Sequence, residues 1–150
     1  MPRYLAHTRG LASRRIGDEE VVISPRAGKV WTLNAAAALV WELADGALSV
    51  EALGGTLADC RHVSPIAAAE ELEQFAKRMI GLGIMEWRDA PGRRSQRSRR
   101  AEDALPPELR DAPRLTREAP LQVLAGACDS NHSGQGAACM LFGSCASGWT

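Results

Sequence analysis

The chain has 150 residues with eighteen basic and eighteen acidic side chains, a formal net charge of zero. That length holds one domain with an appendage, and the balance of charge excludes a protein that neutralises nucleic-acid phosphate or a membrane surface over its whole face. No apolar run approaches the roughly 18 residues of a membrane span and no N-terminal signal segment is read, so a cytoplasmic protein without membrane contact is expected.

Charge is distributed unevenly. Residues 1–90 carry ten basic and twelve acidic side chains, residues 91–118 eight and five, and residues 119–150 none and one. The chain is therefore read in three parts.

Met1 to Gly10 shows no periodic pattern, and order is expected from Leu11 onward, with Leu11 to Ile16 a candidate strand. Val21, Val22 and Ile23 form a β-branched run that Ser24-Pro25 ends. Ala27-Gly28 then turns the chain into Lys29 to Leu33, and two such runs around a short turn predict a hairpin. Asn34 follows as a helix N-cap, and an alanine-rich run of strong helix propensity leads to Asp45-Gly46, which is expected to close the helix. Ala36, Leu39, Val40 and Leu43 make one apolar stripe, with Trp41 on the opposite side.

Ser49 is the predicted cap of a second helix, with Leu48 and Leu53 placed as a hydrophobic staple. Gly54-Gly55 within it costs about 1 kcal/mol per glycine relative to alanine, so packing must hold this helix. Ser64 caps a third helix with Pro65 at its first position, and Gly81 and Gly83 end it. Its apolar surface is broad: Ala69, Leu72, Ala76 and Ile80 form one strip flanked by Ala68, Phe75 and Met79. Either all of these are core, or Phe75 and Met79 line a groove. Ile84 to Trp87 reads as a closing strand or extended tail.

The predicted fold class is α+β: a small winged helix-turn-helix-like domain over residues 11–88, with a β-hairpin or three-stranded sheet followed by three helices. Leu33, Asn34, Leu39, Leu43, Asp45, Gly46, Val50, Leu53, Leu57, Phe75, Leu82 and Ile84 together resemble the PqqD family, small proteins of pyrroloquinoline quinone biosynthesis. The resemblance runs from about Leu11 to Trp87. It implies a non-catalytic recognition element for ribosomally made, modified peptides. Such an element captures a precursor leader and delivers it to a modifying enzyme, often a radical S-adenosylmethionine enzyme, and no cofactor or metal is implied for the domain itself. The physical mode is strand addition to an open sheet edge, with alternate side chains entering a neighbouring groove. On this chain the edge is assigned to the hairpin residues Val21, Val22, Ile23, Val30, Trp31 and Leu33, and the groove wall to Leu72, Phe75 and Met79.

The residues themselves favour no catalytic site. Gly54-Gly55 lacks the Lys-Ser or Lys-Thr of a phosphate loop. Asp59, Cys60 and His62 stand close in sequence, but nothing fixes a base for a cysteine nucleophile. A winged-helix DNA-binding regulator is the alternative function. Against it, Glu70, Glu71 and Glu73 sit where a recognition helix would meet an anionic groove.

Residues 89–118 read as an Arg/Pro-rich flexible linker, since GRRSQRSRR and the proline-rich stretch after it cannot bury enough apolar surface to order themselves. Residues 119–150 form a Cys/Gly/Ser-rich tail, expected to be disordered, which holds Cys128, Cys139 and Cys145. Zinc fits poorly, because spacings of eleven and six with only His132 match no common site. A disulfide clasp would not persist in a reducing compartment, and no Cys-x-x-Cys pair poises a thiolate. Incidental cysteines and a precursor core both remain open. For a core, the three cysteines are the candidate modification sites, and Pro120 to Ala125 is a candidate strand for capture in the same chain or a neighbour.

Overall fold

A computed structural model describes residues 2–121, and the expectations placed on Cys128, Cys139 and Cys145 lie outside them. Among the described residues the fold is α+β, with two antiparallel sheets and four helices. The first sheet has the order β5-β1-β6, built from β1 (Tyr4–His7), β5 (Asp45–Ser49) and β6 (Met85–Arg88). The second has the order β2-β3-β4-β7, from β2 (Ala12–Ile16), β3 (Glu19–Ser24), β4 (Lys29–Leu33) and β7 (Leu115–Pro120).

Four helices accompany them: α1 (Ala35–Leu43), α2 (Val50–Arg61), α3 (Pro65–Gly81) and α4 (Gln96–Asp103). The three expected caps form. Asn34 Oδ1 accepts from Ala37 N–H at 3.0 Å, and the hydroxyls of Ser49 and Ser64 accept from Ala52 and Ala67 N–H at 3.2 Å. Each such cap is worth about 0.5–2 kcal/mol.

Several expectations are corrected. Order starts before Leu11, because β1 is the middle strand of the first sheet, with Leu5 fully buried. Four residues are too few to show a period, and only pairing on both sides makes this segment a strand. Asp45-Gly46 opens β5 where a turn was expected. Gly46 takes φ +86°, and a Cβ there would stand 3.2 Å from the Cβ of Ala6, so the close approach of β1 requires glycine.

Trp41 lies opposite the apolar stripe and is nonetheless 1% exposed. Helix α1 is enclosed on all sides, with β3 and β4, α2, β5 and α4 around it. The Trp41 ring stacks on His7 with centroids 3.8 Å apart, and its indole N–H donates to Ser13 Oγ at 3.1 Å. His7 Nε2–H donates to the Trp41 carbonyl at 2.6 Å. Burial, opposed by that bond, lowers the His7 pKa from 6.5 to about 4, so the ring is neutral near pH 7.

The segment expected to be a flexible linker contains α4 and β7. Ser95 caps α4 by accepting from Ser98 N–H at 3.0 Å, and small Ser98 and Ala101 are buried where the helix meets α1. Arg97 explains why so polar a helix docks. Its guanidinium bonds to Glu20, a carboxylate on β3 that is fully buried, and donates to Ser13 Oγ at 2.7 Å. Burial pushes the Glu20 carboxyl pKa up, and Arg97 opposes that shift. Glu42 of α1 stands 3.8 Å from the same guanidinium and pairs with Arg15 at 3.0 Å.

Candidate functional site

Strand β3 pairs with β2 on one side and β4 on the other, so Val21, Val22 and Ile23 do not form an open edge. The edge of the hairpin is β4, whose own residues Val30, Trp31 and Leu33 lie along it. Val22, Trp31 and Leu33 point into the core, while Val21, Ile23 and Val30 are half-buried. This alternation is what a strand covered more on one face produces.

Leu72, Phe75 and Met79 are 1%, 3% and 0% exposed and belong to the core. The broad apolar surface of α3 is thus consumed by packing, and none of the three offers surface to a groove in this structure.

The β4 edge is filled by the chain's own β7. The strands run antiparallel with Lys29 opposite Pro120, Val30 opposite Ala119, Trp31 opposite Glu118, Thr32 opposite Arg117 and Leu33 opposite Leu115. An irregularity between Thr32 and Leu33 lets Thr116 Oγ1 donate to the Thr32 carbonyl at 3.1 Å. Lys29 Nζ meets Glu118 at 2.7 Å. The bond from Lys29, with the nearby Trp31 indole and Arg78, holds the Glu118 carboxyl below the usual range. The buried Trp31 N–H acts on it from outside hydrogen-bond geometry and has no partner of its own. Leu115 packs, half-buried, against the core. Past the strand, Leu121 N–H donates to the Gly28 carbonyl at 2.8 Å.

The approach to β7 is fastened along its length. Ser95 N–H donates to Asp45 Oδ2 at 2.7 Å, ahead of the Arg97 pair. His62 closes α2 in the left-handed region at φ 54°, and its ring Nε2–H donates to the Pro107 carbonyl at 2.9 Å. Leu109 is buried and its N–H donates to the Cys60 carbonyl at 2.8 Å. Arg61, paired with Glu71 at 2.7 Å, donates to the carbonyls of Leu109 and Arg110.

Asn34 completes the fastening. Beyond capping α1, its Oδ1 accepts from Arg114 N–H at 3.0 Å and its Nδ2 donates to the Ala112 carbonyl at 2.8 Å. Its own N–H donates to the Arg114 carbonyl at 3.1 Å. The sequence marked Asn34 as a cap and gave no sign of this second set of bonds. Arg61, Arg97 and Lys29 were missed as well, because a polar surface residue shows its partner only when the chain is folded.

Cys60 and His62 are therefore occupied by structure. The Cys60 thiol is 4% exposed, and burial, then Asp59, pushes its pKa up, away from the thiolate a nucleophile needs. Among the described residues no helix is long and apolar enough to cross a membrane.

Residues 19–85 match the family model described as Coenzyme PQQ synthesis protein D (PqqD). The matched segment runs from the start of β3 to the start of β6, and so includes β4, Asn34 and α1 to α3. The resemblance read from the residues is borne out over this span. No curated protein and no solved structure matches.

Proposed function

We propose that the PqqD-like domain at residues 19–85 is a peptide-recognition element. It takes an extended leader segment onto the β4 edge by strand addition and presents the residues that follow to a modifying enzyme. The family description supports a place in the synthesis of a peptide-derived product. The observation that carries the reading is that β4 holds an extended segment, β7, which is followed in the same chain by the cysteine-rich stretch. The β2-β3-β4 ribbon precedes α1, and its β4 edge is the binding edge in this reading. In strand addition the backbone supplies affinity and alternate side chains supply selectivity.

The substrate is the chain's own tail, with Cys128, Cys139 and Cys145 as sites, and the partner is an oxidising peptide-modifying enzyme of the radical S-adenosylmethionine kind. Each thioether cross-link would remove two hydrogens from the tail, the enzyme supplying the oxidising equivalents. Intact mass spectrometry of the protein from its native host tests this. A deficit of two hydrogens per cross-link, resistant to reduction and absent when residues 115–120 are replaced by Gly-Ser repeats, is the expected result. Cross-links that persist after that replacement would refute recognition through β4. A tail that is fully alkylatable in the unaltered chain would refute its role as substrate.

A further inference from the structure

We propose that the peptide-taking edge of this protein is reserved for its own segment, with Asn34 as the clamp that sets register and the Arg97–Glu20 pair as the latch that holds the approach. The proposal deepens the reading of β4 as a peptide-recognition edge and rests on it.

Three observations carry it. First, apart from the helix-cap bond to Ala37, the side-chain bonds of Asn34 go to the backbone of Ala112 and Arg114, immediately before the first strand pair, Leu33 with Leu115. A side-chain amide that donates to one carbonyl and accepts from an N–H two residues later fixes where the strand begins, whatever side chains it carries. Selectivity then falls to Glu118, paired with Lys29, and to Leu115 against the core.

Second, the tether is short at every stage. If only β6 were anchored, the 26 residues between Arg88 and Leu115 would be loop. With Arg97 held by Glu20, Leu109 buried, and Arg61 and Asn34 bonded to the backbone of residues 109–114, the last fastened residue, Arg114, adjoins β7. Strand addition becomes intramolecular, at an effective concentration of about the millimolar range or above. A peptide supplied in trans must compete with that concentration as well as with matching contacts.

Third, the latch is costly to leave empty. Glu20 is fully buried and one of its oxygens, Oε2, has no hydrogen-bond partner, so the carboxylate depends on Arg97 for compensation. Undocking α4 strands that charge, which biases the chain toward the closed arrangement. With β7 seated, Leu121 N–H is bonded to the Gly28 carbonyl in the β3–β4 turn. Edge and substrate in one molecule give one recognition element for each modified tail.

The test uses the full chain and a fluorescently labelled synthetic peptide, APRLTREAPL, copied from residues 112–121. Two variants are compared with the unaltered protein: one with residues 115–120 replaced by Gly-Ser repeats, and Asn34→Asp. Aspartate keeps the helix cap and the acceptor for Arg114, and it loses only the donor to Ala112. The expected results are no saturable binding by the unaltered chain and saturable binding by the Gly-Ser variant. The amides within residues 115–119 that face β4 should be protected from hydrogen exchange in the unaltered chain. They should exchange about 5- to 30-fold faster in Asn34→Asp, the factor for one lost buried bond and an opposed carboxylate, at unchanged rates for α3. Equal binding of the peptide by the unaltered chain and the Gly-Ser variant, or no protection of the β4-facing amides within 115–119, would overturn the reservation of the edge alone. Protected amides together with no binding by the Gly-Ser variant would overturn the peptide-taking reading, and this inference with it.

Discussion

Replacing His7 with glutamine should abolish a steep acid dependence of stability that the unaltered protein is expected to show. His7 is stacked on Trp41 and bonded to the Trp41 carbonyl, and its pKa is lowered from 6.5 to about 4, chiefly by burial. Arg97 lowers it further and Asp45 opposes. Because the folded value lies below the unfolded one, the unfolded chain binds more protons between them. Stability is therefore intact above 6.5 and is lost as pH falls toward 4. A difference of about 2.5 pKa units corresponds to about 3 kcal/mol in the limit, of which about 2 kcal/mol is lost between pH 7 and pH 5. That is a large share of the roughly 5–15 kcal/mol that stabilises an ordinary domain. Glutamine retains an N–H donor for the Trp41 carbonyl and cannot titrate. The assay is urea denaturation at a series of pH values for both proteins. The gap between their stabilities should change by about 2 kcal/mol over this range. Parallel pH profiles, or a His7 ring that titrates near 6.5 by NMR, would refute the burial of a neutral imidazole.

Other perturbations test other parts of the fold. Arg97→Ala should cost about 2–4 kcal/mol, less than a fully enclosed pair because the Arg97 side chain is 39% exposed, and Glu20→Gln in that background should recover more than half in a double-mutant cycle by urea denaturation. Leu5→Ala should lower stability by about 2–5 kcal/mol in the same assay, as expected for a core cavity, although the local sequence shows no pattern. Lys29→Glu places like charges beside Glu118, and hydrogen exchange should accelerate at the β4-facing amides within residues 115–119 while the denaturation midpoint stays unchanged.

The sequence determined the elements whose signals are local. Asn34, Ser49 and Ser64 announce three helix starts because a cap needs only its own side chain and an N–H three residues on. The β-branched runs around Ala27-Gly28 announce β3 and β4, and the Leu-Asn helix with its Asp-Gly step carried the family resemblance that the match over residues 19–85 bears out. What only the tertiary structure decided is everything that depends on a distant partner. β1 is a strand because β5 and β6 close on it, and Trp41 is buried because α4 and the strands enclose a helix whose stripe suggested one covered face. The arginine-rich segment looked solvated because composition counts charges without their counterparts. Glu20, the buried carboxylate that orders it, lies 77 residues away. The same distance hid the site. Asn34 and Ala112 are 78 residues apart, and backbone bonds between such positions leave no trace in side-chain pattern, so occupation of the β4 edge by β7 could be seen only once the chain was folded.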